Sequence, residues 1–220
     1  MADELVLASS VSKVYGAGEA GVEAVVDASC AIVTGDRIAL VGPSGSGKST
    51  LLYILGGLEE PTAGKVMWPQ LAPGARIAPR YASFVFQQPN LLPPLTAAEN
   101  VAVPLMLAGV DAPNAAAAAT AVLARLNLAA LSDKLPEELS GGQAQRIGLA
   151  RAIASEPRLI FADEPTGQLD SAAADHAVGQ LLEAADAAHA ALIVATHDER
   201  VAHRLATRWT IRHGRLETAR

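Results

Sequence analysis

The sequence has a single cysteine, few aromatic residues (4 %), few charges (18 %) and no long apolar run. The lone Cys30 excludes an internal disulfide framework and suits a reducing compartment, where it is expected to pack as a small apolar side chain. The opening stretch MADELVLASS has acids where a leader peptide needs a basic region, so no secretory leader is expected. The longest stretch free of charge, residues 81–98, contains Gln87, Gln88, Asn90 and three prolines, which excludes a membrane span. A net charge of −6 excludes a basic surface of the kind that coats nucleic acid, and no nucleic-acid partner is expected.

What is present is apolar and alanine-rich. Half of the 220 residues are apolar, enough for a buried core in one domain. Four short runs, RIALVG (37–42), YASFVFQ (81–87), RLIFADE (158–164) and ALIVATH (191–197), are apolar on both faces, as parallel strands covered by helices are. Two earlier stretches, 5–15 and 21–33, alternate and read as antiparallel strands. Between Pro89 and Ser140 the composition turns to Ala- and Leu-rich helix. The expected fold is α/β, with an antiparallel β subdomain before the parallel strands and a helical insertion. One domain over 1–220 is expected, with 1–87 and 156–220 as core and β subdomain and 88–155 as the helical subdomain.

Each of the four buried runs ends on residues suited to chemistry: Gly42, Gln87, Asp163 with Glu164, and His197. In open parallel sheets, ligands bind at these carboxyl ends. GPSGSGKST (42–50) matches G-x-x-x-x-G-K-[ST] between a strand and a helical run. Gly42, Gly45 and Gly47 let the backbone turn its N–H groups toward phosphate, and Pro43, Ser44 and Ser46 complete the loop. Lys48 is expected at the β- and γ-phosphates, Ser49 on Mg²⁺ and Thr50 at the α-phosphate. At the end of LIFADE, Asp163 suits Mg²⁺ and Glu164 suits a general base on the attacking water. The bland alternatives, a glycine turn and a solvated acid pair, do not explain why a buried strand leads into each.

A P-loop, then LSGGQ (139–143), LIFADEP and ATHD in that order resembles the nucleotide-binding subunit of ABC transporters over nearly the whole chain. FVFQQPNLLPPLTAAENVAVPL and ADEPTGQLD resemble the group of lipoprotein-release, macrolide-efflux and cell-division ATPases. The resemblance implies a P-loop NTPase (RecA-like) core carrying the β subdomain and the helical insertion, and a head-to-tail homodimer, or a dimer with a similar subunit, that sandwiches ATP and Mg²⁺. Ser140, Gly141, Gly142 and Gln143 of one chain then face the γ-phosphate held by the other. It also implies that Tyr15 stacks on adenine, Gln87 senses Mg²⁺ and water, His197 contacts the γ-phosphate and Asp170 signals across the dimer. The partner it implies is a separate transmembrane permease-like subunit, with this chain in the cytoplasm, peripheral on the inner face of the membrane. Two rivals stand beside this reading. A soluble ABC ATPase of the cofactor-assembly type needs no membrane partner, and a small-molecule P-loop kinase does not need LSGGQ.

Overall fold

The computed structural model describes residues 4–16, 21–71, 77, 81–167 and 169–219, so the first three residues of the leader argument lie outside it. Internal contacts divide the chain into two units, Met1–Ile77 with Ala191–Arg220, and Ala78–Ala190. The first unit opens with β1 (Glu4–Tyr15) and β2 (Val22–Val33), the two alternating stretches, which pair antiparallel. After β3 (Arg37–Val41) and helix α1 (Lys48–Leu55), β4 (Ala63–Met67) pairs antiparallel with β1, giving the sheet order β2-β1-β4. Trp68 then donates its indole N–H to Leu55 O at 3.0 Å, satisfying a carbonyl at the end of α1.

The second unit begins with β5 (Ala82–Val85). Helices α2 (Ala97–Leu107), α3 (Ala112–Arg125) and α4 (Gly141–Ile153) pack on one another, and β6 (Leu159–Asp163) and α5 (Ser171–Ala187) follow. β5 and β6 pair in parallel with Phe84 opposite Phe161, their rings stacked at 5.0 Å. Every residue of β6 is buried, which is why its sequence is an unbroken apolar run up to Asp163. α2 is capped by Thr96 with a full capping box and continues through Pro104.

The chain returns to the first unit with β7 (Ala191–Thr196), α6 (Glu199–Ala202), β8 (Thr207–Arg212) and β9 (Arg215–Ala219). β3 pairs in parallel with β7 on one side and β8 on the other, and β9 pairs antiparallel with β8. His213 (φ 48°) and Gly214 (φ 75°) form the two-residue turn of that hairpin, both left-handed as a type I′ turn requires. Among the described residues, no helix is long and apolar enough to cross a membrane.

Candidate functional site: a phosphate loop in one unit and three polar loops in the other

In the first unit, β3 runs into the glycine loop and α1 leaves it at Lys48. The glycines are dictated by crowding. A Cβ on Gly42 would lie 2.3 Å from Ile211 O, and one on Gly47 (φ 104°) would lie 2.1 Å from Ala24 O. The loop is therefore pressed against β2 and β8 while a Cβ at Gly45 would meet nothing within 4 Å. Its N-cap is a glycine with no side-chain acceptor, so no side chain caps the first amides of α1. An uncapped helix start with the positive dipole end is suited to an anion.

Lys48 is buried, and its ammonium donates to Gly42 O at 2.9 Å and Pro43 O at 3.1 Å, so the side chain bends back over the glycine loop. Ser49 and Thr50 are half-buried on the first turn of α1. Ser46 Oγ is buried with no hydrogen-bond partner among the described residues. Its carbonyl is fixed by Gly214 N–H at 3.0 Å, and Gly214 O accepts from Val26 N–H at 2.8 Å, so the β8–β9 turn braces the loop. The sequence did not single out that turn, because His-Gly is not among the dipeptides that mark a two-residue hairpin.

Tyr15 ends β1 with 42 % of its surface exposed, and Lys13 Nζ stands 5.1 Å from its ring centroid. Lys13 is itself held by the Glu59 carboxylate and by Glu60 O at 2.8 Å. His197 is exposed directly after β7. Asp198 beside it caps α6, and its hydrogen bonds with Arg200 hold its carboxyl below the usual carboxylate range.

In the second unit Asp163 closes β6 and is 2 % exposed. The next residue, Glu164, has φ 48°, a left-handed conformation that residues other than glycine seldom adopt. Such residues cost on the order of 1–3 kcal/mol and persist only where their surroundings enforce them. Here Gly167 N–H donates to Glu164 O at 3.1 Å, and Gln145 Nε2 donates to Pro165 O at 3.1 Å. Gln87 is exposed two residues beyond β5, and a Cβ on Gly167 would be 3.9 Å from its Cγ.

Ser140 is the N-cap of α4 in a reciprocal capping box with Gln143, while Gly141 and Gly142 follow it. A Cβ on Gly142 would be 3.3 Å from Leu169 Cδ2, so the signature glycines lie beside the loop that leads to Asp170. Asp170 is itself the N-cap of α5, accepting from Ala173 N–H at 2.9 Å. The unit thus gathers Gln87, the loop after Glu164, the start of α4 and the start of α5. A cavity of about 460 Å³ in this unit, lined by Arg125, Asn127, His176, Gln180 and Glu183, holds none of the predicted residues.

The ABC transporter family model matches residues 25–167. The chain belongs to the ABC transporter family. As an ABC ATPase it is similar to the "Lipoprotein-releasing system ATP-binding protein LolD" of Legionella pneumophila (strain Paris), 42 % identical over 212 residues and 93 % of each chain. The protein of the same name from Rickettsia felis is 37 % identical over 221 residues, all of both chains. Among solved structures, the dimeric post-hydrolysis state of the ATP-binding cassette MJ0796 bound to ADP and Pi superposes with a TM-score of 0.88. It shares 33 % identity and covers 98 % of this chain and 99 % of that one. The fold is therefore that of an ABC cassette, with mixed α/β, antiparallel β and helical parts, and this ATPase binds and hydrolyses ATP.

Two residues of the ABC ATPase escaped the motifs. Asn100 is completely buried and ties down the proline-rich loop after Gln87. It accepts from Leu92 N–H at 2.8 Å and donates to Leu92 O, Leu95 O and Thr96 O at 3.2, 2.9 and 3.0 Å. Gln145 lies two residues beyond LSGGQ on the buried side of α4. In the sequence both were ordinary helix polar residues.

Proposed function

We propose that this ATPase works as a head-to-tail dimer that sandwiches ATP and drives a separate membrane subunit. The observation that carries the reading is the start of α4. The chain already has a phosphate loop, yet Ser140, Gly141 and Gly142 offer a second helix start, with Ser140 and Gly141 exposed. A second anion site of this kind is accounted for by the nucleotide of another copy.

In this reading Tyr15 stacks on adenine, and the amides of Gly42–Gly47 and Lys48 hold the β- and γ-phosphates. Thr50 meets the α-phosphate and His197 the γ-phosphate. Glu164 accepts the proton of the attacking water, and Asp170 and Ser140–Gln143 answer to the partner chain's nucleotide. Ser49, Gln87 and Asp163 fit Mg²⁺ because all three are hard oxygen donors. No group of three or more His, Cys, Asp and Glu side chains among the described residues could form a cage of its own. A magnesium ion arriving with the nucleotide would need no such cage, and it would supply neutralisation of phosphate charge.

Relatives named for lipoprotein release support lipid or lipoprotein extraction, more than solute export or mechanical signalling, as the work that hydrolysis drives. The chain would then sit on the cytoplasmic face of the inner membrane, held there by its membrane subunit. Glu164→Gln tests the core of the proposal. With ATP and Mg²⁺ it should accumulate as a dimer on size exclusion, since glutamine keeps the shape but accepts no proton. A strictly monomeric profile would overturn the sandwich.

A further inference from the structure

Gln145 occupies an unusual position. It is 2 % exposed, and its Nε2 donates at 3.1 Å both to Phe86 O and to Pro165 O. Phe86 precedes Gln87, and Pro165 follows Glu164. One amide group therefore bridges the backbones that carry the water-sensing glutamine and the general base. It stands on α4 five residues after Ser140, so the same helix that begins with the signature loop also holds these two carbonyls.

A purely structural role accounts poorly for this arrangement. The Oε1 of Gln145 is buried with no hydrogen-bond partner among the described residues, as that of Gln180 is, so what sets Gln145 apart is its bridge between two backbone carbonyls of different loops. Glu164, one residue before a bonded carbonyl, is kept at φ 48° although nothing in its chemistry prefers it. Local rules broken together in one place point to function.

We infer that Gln145 is a positioning residue. It holds Gln87 and Glu164 in register with each other and transmits displacement of the signature helix to both. The inference rests on the proposed roles of Gln87 and Glu164 in hydrolysis. Engagement of Ser140–Gln143 by a nucleotide would move α4, and the two Nε2 bonds would carry that movement into the loops beside the water and the metal. Hydrolysis would then depend on a completed dimer interface, through a connection within a single chain.

Gln145→Met tests it, because methionine keeps length and apolar bulk, removes both donors and also removes the orphaned acceptor. Gln180→Met is the control. Gln180 is another buried amide of the same unit, donating to Leu126 O at 3.4 Å, with its own Oε1 unpartnered. Steady-state ATPase should show kcat down by about 10- to 100-fold in Gln145→Met, the range expected of small misplacement, with KM little changed. Gln180→Met should stay near the wild-type rate, and the melting temperatures of the two variants should be similar. An unchanged kcat in Gln145→Met overturns the positioning role. So does a loss matched by Gln180→Met, or one that tracks melting temperature, because either assigns the effect to packing. Failure of the underlying reading looks different: Glu164→Gln would hydrolyse ATP at the wild-type rate, whatever Gln145→Met does.

Discussion

Ser140 and Gln143 close on each other: Ser140 Oγ accepts from Gln143 N–H at 3.3 Å while Gln143 Oε1 accepts from Ser140 N–H at 3.0 Å. The serine therefore has a duty within its own chain, as a helix cap, before any nucleotide is present. Its two roles can be separated by substitution. Aspartate caps a helix as well as serine does, so Ser140→Asp should keep stability within about 0.5 kcal/mol. It should nevertheless block ATP-driven dimerisation in the Glu164→Gln background, because it sets a carboxylate against phosphate. Ser140→Ala should show the reverse, losing about 1 kcal/mol of cap with dimerisation only weakened. Thermal melts and size exclusion on the two variants check this. A Ser140→Asp protein that still dimerises would mean the signature serine never meets phosphate.

Asn100 makes a stability prediction of a different kind. Asn100→Ala removes a buried side chain bonded to four backbone groups of the 92–96 turn, of which Leu92 O and Thr96 O keep a second bond, from Leu95 N–H and Asn100 N–H, while Leu92 N–H and Leu95 O lose theirs. Orphaned buried groups cost about 1–3 kcal/mol each before relaxation, and solvent will reach some of them. A net loss of about 2–4 kcal/mol is expected, readable as a lower midpoint in urea with an unchanged slope. Because the loop leads from Gln87, the variant should also gain protease sensitivity between residues 88 and 96. A midpoint within error of wild type would show that the loop is held by other means.

The two kinds of residue differ in how legible they were. The places of Lys48, Asp163, Glu164 and the LSGGQ residues at strand ends and helix starts could be read directly, because their motifs fix residue type at fixed spacing along one stretch of chain. The buried strands could be read too, since β6 and β7 are apolar on both faces and the pairing β5–β6 and β3–β7 is parallel. Asn100 and Gln145 were invisible because their meaning lies in partners 4–8 and 20–59 residues away. A helix polar residue looks the same in sequence whether it faces solvent or a buried carbonyl. The left-handed Glu164 was equally hidden, since glutamate carries no propensity for that conformation. The hairpin at His213–Gly214 was hidden as well, since histidine before glycine is not one of the usual hairpin pairs.

Cys30 carries the pH dependence. It lies on β2 opposite Ala8, and burial pushes its thiol up to about 12 from an ordinary 9.0. At pH 8 the thiolate is then much scarcer than that of an ordinary thiol, and labelling should be slower in the folded protein than in the unfolded one. The sign for stability follows. The raised pKa favours the neutral folded form, so this contribution is fully present below pH 9 and is lost between pH 9 and 12. Cys30→Ala should flatten that part of the stability profile. Fast labelling of native protein by a thiol reagent at pH 8 would contradict the burial of the sulfur.

Leu92 makes the prediction about the membrane subunit. Its side chain is 42 % exposed, while its own N–H and C=O are both bonded to Asn100. Leu91 and Leu95 are half-buried beside it, and Pro93 and Pro94 are exposed. An apolar side chain on a fixed backbone loses little freedom when a partner covers it, which suits a docking contact better than a loose loop does. By contrast Val101, further along the same stretch, is fully buried and belongs to the core of the helical part. Leu92→Ser should therefore leave basal ATPase and melting temperature nearly unchanged, since little buried area is lost. Co-purification with the membrane subunit and partner-stimulated turnover should both fall, by about 10-fold if the leucine fills a pocket at the centre of the contact. Leu91→Ser should combine a smaller partner effect with a drop in melting temperature. If Leu92→Ser melts several degrees early yet retains its membrane partner, the leucine supports the fold and the docking surface lies elsewhere.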